Sequence, residues 1–434
     1  MGPCFLKHHS WLNPMVEHAI QSLYDQALNA FAEGSLRSAK SSLRKLQKLA
    51  PDDPRTIEVQ GDLARLEGDV EIARKHYEHL VQMHDHPAAR TRGLLSLGYL
   101  ESEADQFEAA VPYFEQSADS LREQEDQNQL PPVLLSLAGI YRDLGRFTDS
   151  ANTFEELIQL LDAADDPDDE DESLRSVTAS AVHSLGDVQR MMGQVDAALN
   201  TFRDAELRYQ ALEDPENYAA LIDSMGILEQ TRGNYAAAEP YHLRALEMNK
   251  EYGDTDGMAQ NHSNLAMLGI NREDWEFALK HARSAQQIYR RISDTNGIAH
   301  SWLVLGMIDS ERGELTSALT SLKKAEALYE ECGDAEDQVC VASQLGVVYR
   351  RQGQLELASQ LAEQVLQLAE EMQHGQGVCA AHEELGEVRR LQGQLAEARE
   401  CWVRSRDAYE QLGDQVAVQR VLEKLASLAA PAGE

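Results

Sequence analysis

Histidines are the first residues of this chain whose grouping invites chemistry. His76 and His79 lie three apart, and His84 and His86 follow closely, a spacing from which a zinc ion could be held. The same side chains also read as ordinary polar positions beside a helix end, and no metal site is expected. Cys340 and Cys379 fall 39 residues apart, which suggests either a redox pair or two small packing residues. Five cysteines (Cys4, Cys332, Cys340, Cys379 and Cys401), odd in number and without a CxxC pair, fit a reducing compartment, so a cytoplasmic location is expected. No Walker sequence, GxSxG or HExxH occurs, so neither an enzyme nor a cofactor is expected.

The elements that would position any such residues show a strong period. A small residue preceded by Leu or Met recurs in SLGYL, SLGDV, SMGIL, NLAML, VLGMI, QLGVV and ELGEV, at Gly98, Gly186, Gly226, Ala266, Gly306, Gly346 and Gly386. From Gly186 onward every step is 40 residues. Seven residues after the small residue comes a second glycine (Gly193, Gly233, Gly313, Gly353, Gly393). Five further on comes an alanine (Ala198, Ala238, Ala278, Ala318, Ala358, Ala398). Each unit therefore reads as helix, turn, helix, and about ten units can be counted once the looser early ones are included. A mid-helix glycine costs about 1 kcal/mol relative to alanine, so its recurrence implies that a neighbouring backbone comes close. The second glycine ends the first helix.

The pattern of Leu-Gly in the first helix, Gly at the turn and Ala with an aromatic in the second resembles the tetratricopeptide repeat family. Leu137, Ala138, Tyr141, Gly145 and Phe154 fit it closely, and Pro51 stands where that family carries its terminal proline. The resemblance spans roughly residues 15–430. The unit length and the Gly253-Asp254, Gly333-Asp334 and Gly413-Asp414 junctions resemble the long-repeat subclass, which includes Partner-of-Inscuteable scaffolds and Rap-type bacterial peptide receptors. It implies an all-α, right-handed superhelical solenoid whose first helices line a concave groove.

In that groove the residue after the small one is Ile227, Met267, Met307 and Val347 in four successive units, an apolar ladder with Ile270 and Leu303 nearby. Tight packing between repeats would bury the same residues. Three positions along, Arg142, Arg190, Arg350 and Arg390 offer cations. Arg190 and Arg390 follow Asp187 and Glu387 by three residues and so have a partner on their own helix, whereas Arg142 and Arg350 do not. An apolar floor with arginines towards its ends suits a peptide with apolar anchors and acidic flanks. The expected partner is a protein or peptide segment bound by a scaffold or adaptor. The alternative is a sensor whose superhelix changes shape on binding a short peptide or small molecule. Asn264 stands alone without the lysines of a chaperone-tail clamp, so that ligand is not expected.

The formal charge of -35 disfavours nucleic acid and anionic lipid as partners. The expected organisation is a tail over 1–14, a solenoid over 15–414 with an acidic loop insertion at 162–173 (DAADDPDDEDE), and a capping helix with a short tail over 415–434.

Overall fold

A computed structural model describes residues 14–124, 128–165, 172–212, 214–333, 335–372, 375–412 and 415–429. These residues form α-helices joined by short turns, with no strand among them. Contacts divide the chain into two compact units, one up to Leu160 and one from Leu161.

The first unit contains α1 (Pro14–Ala32), α2 (Leu36–Leu49), α3 (Pro54–Leu66), α4 (Val70–Val81), α5 (Pro87–Glu103), α6 (Phe107–Glu123), α7 (Leu130–Asp143) and most of α8 (Phe147–Ala164). The second contains α9 (Ser173–Met191), α10 (Val195–Leu212), α11 (Pro215–Thr231), α12 (Tyr235–Tyr252), α13 (Thr255–Asn271), α14 (Trp275–Ile292) and α15 (Thr295–Glu311). It continues through α16 (Leu315–Cys332), α17 (Ala335–Arg351), α18 (Leu355–Glu371), α19 (Gly375–Leu391), α20 (Leu395–Gln411) and α21 (Gln415–Ala429). In the second unit each odd-numbered helix up to α19 packs on the even one that follows, and each even one packs on the next hairpin. This is the tetratricopeptide-type solenoid.

The turn glycines behave as the spacing requires. Gly193, Gly233, Gly313, Gly353 and Gly393 take φ between +70° and +81°. Where glycine is missing from that place, Glu273 accepts the same left-handed conformation at φ +57°. The Gly253-Asp254 junction also has a clear reason. Gly253 closes α12 in the left-handed region, and Asp254 caps α13 by accepting the Gly257 N–H at 3.0 Å. Asp334, Gly413 and Asp414 lie outside the described residues.

The recurrent small residue needs a correction. In most repeats it makes room for a large side chain sixteen residues on, not for a backbone. A Cβ on Gly186, Gly226, Gly306 or Gly386 would stand 2.3–2.7 Å from Phe202, His242, Leu322 or Trp402. The alanine of the second helix remains fully buried in every repeat of this unit. In α8 of the first unit Ser150 takes that place and donates to the Ala138 carbonyl at 2.7 Å.

The ends of the acidic insertion differ from expectation, since α8 runs to Ala164 and α9 begins at Ser173. Ala163 and Ala164, which follow Asp162, favour continuing the helix; 166–171 lie outside the described residues. Of the expected tail, Pro14 opens α1, which suits a residue without an N–H, and the rest is outside the described residues. Helix α21 packs on α20, burying Ala417, Val418 and Val421 against Cys379, Trp402 and Tyr409. No described helix is long and apolar enough to cross a membrane.

Candidate peptide-binding face

The first helices of the second unit touch one another in succession, α9 on α11, α11 on α13, α13 on α15, α15 on α17 and α17 on α19. Each presents the residue after its small position along one row. Ile227, Met267, Met307 and Val347 occupy that row half-buried. Met267 and Ile270 rest on a core of Ala266, Ala278, Ala282, Val304, Leu305 and Ile308, and Met307 rests on the next core along. Each therefore has one side held by the core and one side in solvent, as a floor for a ligand requires.

Leu303 does not join that floor. It is only 6% exposed and packs with Ala318, Leu322, Val341 and Leu345, because its place on α15 turns towards the following repeat. The arginines also need correcting. Arg350 lacks a partner on its own helix, yet its Nε meets Glu384 Oε1 of α19 at 2.7 Å, with side chains 18% and 9% exposed. Burial pushes the Glu384 carboxyl up despite that arginine. Arg142 pairs with Asp143 at 2.9 Å and belongs to the first unit. Arg190 and Arg390 pair with Asp187 and Glu387 at 3.3 and 3.0 Å, as their spacing implies. All four guanidinium groups are thus already engaged.

Between α11, α12 and α13 lies a polar constellation that the repeat register did not single out. Asp223 sits where other first helices carry Leu303 or His183, and His242 sits where other second helices carry Phe202, Leu322 or Trp402. His242 Nδ1 donates to Asp223 Oδ1 at 2.7 Å, and its Nε2 accepts from Gln230 Nε2 at 2.6 Å. Asn261 donates to Asp223 Oδ1 at 2.8 Å, Asn264 to Oδ2 at 2.6 Å, and Asn249 to Asn261 at 2.7 Å. His242 is fully buried, and its ring takes the space that Gly226 leaves. Comparing residues at the aromatic position of each repeat would have exposed this signal. Asn264, which stands without the lysines of a chaperone-tail clamp, is here tied to the preceding repeat.

The two flanks of the row carry titratable side chains that are already engaged. At α9, His183 Nε2 lies 3.0 Å from Ser224 Oγ, and burial lowers the His183 pKa. At α19, burial would raise the Glu383 carboxyl, but Arg420 and Lys424 of α21 hold it below its ordinary range. Elsewhere, His76 is half-buried with its pKa pushed down, first by burial and then by His79. Among the described residues no three His, Cys, Asp or Glu side chains are grouped to hold a metal ion. Cys379 is buried in the core beneath α21, while Cys340 packs against a different core, so each serves packing.

Residues 177–251, 257–331 and 298–371 match the family model of the tetratricopeptide repeat, so these segments of the second unit carry tetratricopeptide repeats. Solved structures of similar fold include aspartyl phosphate phosphatase F from Bacillus subtilis, at 12% identity and TM-score 0.56, with 85% of this chain and 96% of that one covered. Another is the apo form of the quorum sensor NprR from B. thuringiensis, at 15% identity and TM-score 0.56, covering 81% and 99%. A third is the Rap conjugation gene regulator of plasmid pLS20 in complex with the Phr* peptide, at 14% identity and TM-score 0.51, covering 83% and 96%. No curated protein sequence matches the chain.

Proposed function

We propose that this chain is a non-catalytic binding protein, an adaptor or scaffold that takes a peptide segment along the first-helix row of its second unit. The observation that carries this reading is the half-buried run Ile227, Met267, Met307 and Val347, apolar and in register, with Met267 and Met307 backed by core. A similarly folded regulator is described in complex with a peptide, which supports the same reading. The engaged arginines shift the expected ligand from one with acidic flanks to one with apolar anchors and main-chain hydrogen bonds. The alternative of a peptide-responsive sensor draws support from the fold likeness to a quorum sensor. An odd number of cysteines without a CxxC pair supports a reducing, cytoplasmic setting.

Selection from a peptide library tests the site. Peptides enriched by the intact chain should be lost from a folded Met267→Asp, Met307→Asp variant, and equal enrichment by both would reject this row. Small-angle scattering with a selected peptide then separates the roles. A constant radius of gyration marks a scaffold, and compaction marks a sensor.

A further inference from the structure

A second candidate site lies between α13 and α14, and its shape follows from comparing three successive repeats. In the repeat of α11 and α12, Tyr218 is held by Arg244, whose Cζ stands 5.1 Å from the ring centroid and whose Nη2 donates to the phenol oxygen at 2.9 Å. In the repeat of α15 and α16, Trp302 lies under the Lys324 ammonium at 4.0 Å, with the Arg290 guanidinium at 5.7 Å. Both neighbours therefore place an aromatic ring, clasped by a cation, between their two helices. At the equivalent places of the α13–α14 repeat stand Met258 for the tyrosine, His262 for the tryptophan and Ser284 for both cations. Neither a phenol nor an indole stands there, and a cleft of about 330 Å³ lined by Met258, His262, Ser284, Gln287, Ile288 and Arg291 is open.

The cleft is built on one side and charged on the other. Met258 and Ile288 supply an apolar wall continuous with the core of Ala259, Ala285 and Tyr289. His262 cannot swing in to fill it without losing the contact of its Nδ1 with His281 Nδ1 at 2.9 Å. Helix α14 is unusual in a chain of charge -35: it carries Lys280, Arg283, Arg290 and Arg291 against the single acid Glu276. All four cations are exposed, and Lys280 and Arg291, which border the cleft, make no ion pair with a described carboxylate. Lys280, Ser284, Gln287 and Arg291 follow one another at three- and four-residue steps, so the charge borders the cleft on the same helix face.

We propose that this cleft is a docking site for a protein segment that presents one aromatic side chain flanked by acidic residues. The ring replaces the one that both neighbouring repeats supply for themselves, and the carboxylates meet Lys280 and Arg291. The site lies apart from the row of Ile227, Met267 and Met307, so it stands or falls independently of that reading.

Methionine methyl groups report the two places separately. The full chain, labelled at its methionine methyls, is titrated with the capped peptide Glu-Asp-Trp-Asp-Glu and with its Trp→Ala analogue. The Trp peptide should shift Met258 and leave Met267 and Met307 unmoved, and the Ala analogue should bind at least about tenfold more weakly, as loss of an anchor requires. A His262→Trp, Ser284→Lys variant, which rebuilds the α15–α16 arrangement, should keep its helicity and melting temperature while binding is lost. If it fails to fold, Met258→Tyr with Ser284→Arg rebuilds the α11–α12 arrangement for the same purpose. Equal binding of the two peptides, no binding of either, shifts confined to Met267 and Met307, or binding that survives in a folded plugged variant would each overturn the proposal.

Discussion

Asp223 accepts from three side chains, so it holds together groups that have no other charged partner in the core. Replacing it by leucine strands the donors of His242, Asn261 and Asn264, and the expected loss is about 3 kcal/mol, since each orphaned buried donor costs about 1–3 kcal/mol. Replacing His242 by phenylalanine, the residue of the preceding repeat, leaves Asp223 with both asparagines and should cost less than half as much. Urea unfolding of the two variants checks the order. The imidazole pair of His262 and His281 makes a pH prediction. Burial, then His262, then Lys280 hold the His281 pKa down at about 4, against an ordinary 6.5; burial and then Lys280 also lower that of His262. With folded values below unfolded ones, the unfolded chain binds more protons, so this contribution is complete above pH 6.5 and is lost as pH falls towards 4. A His262→Leu, His281→Leu variant should therefore lose less stability than the native chain between neutral and mildly acidic pH, as read by denaturant midpoints.

At the scale of the helix, the repeated small residue is a socket, and the sockets are not alike. A Cβ on Gly226 would meet the His242 ring at 2.7 Å, and that ring is fixed by Asp223 and Gln230. Gly226→Ala should destabilise by about 1–3 kcal/mol, as overpacking does. A Cβ on Gly346 would meet nothing nearer than Glu384 Cγ at 3.9 Å, because the residue sixteen on is Ala362. There the gain in helix propensity is unopposed, and Gly346→Ala should stabilise by up to about 1 kcal/mol. Opposite signs in thermal melting would support the socket account; equal losses would return the argument to backbone contact. Helix α21 adds a different element-scale expectation. Arg420 and Lys424 meet Glu383, and Lys424 also meets Glu387 at 3.0 Å, above a core that includes Trp402 and Tyr409. Removing residues 415–434 should lower the melting temperature and produce concentration-dependent association on size-exclusion chromatography, since an uncovered repeat face is apolar.

Across the whole molecule, 74 acidic against 39 basic residues make self-repulsion a general cost of compaction. Adding sodium chloride should raise the melting temperature by screening it, and a fall would mean that the many ion pairs outweigh the repulsion. The net charge also conceals local order. Helix α2 carries Arg37, Lys40, Arg44, Lys45 and Lys48 with no acid, and α14 carries four cations with one. An overall balance therefore says little about what a particular helix face will accept.

The repeat register was legible because it rests on spacing along one chain: Gly-to-Gly and Gly-to-Ala distances dictate where helices turn and which faces meet. Within one helix, spacing also sufficed for Arg190 with Asp187 and for Arg390 with Glu387. Contacts between repeats were not legible in that way. Leu303 sits within reach of the apolar ladder in the sequence but turns into the core, and Arg350 finds Glu384 from a helix 34 residues away. His242 and Asp223 each look like a stray polar residue until α11, α12 and α13 bring them together. The sequence by itself determined the hairpins and their order, because short-range sterics and helix periodicity decide those. Tertiary structure alone decided which side chains remain available, because burial and charge pairing depend on the distance between repeats and not on position within one.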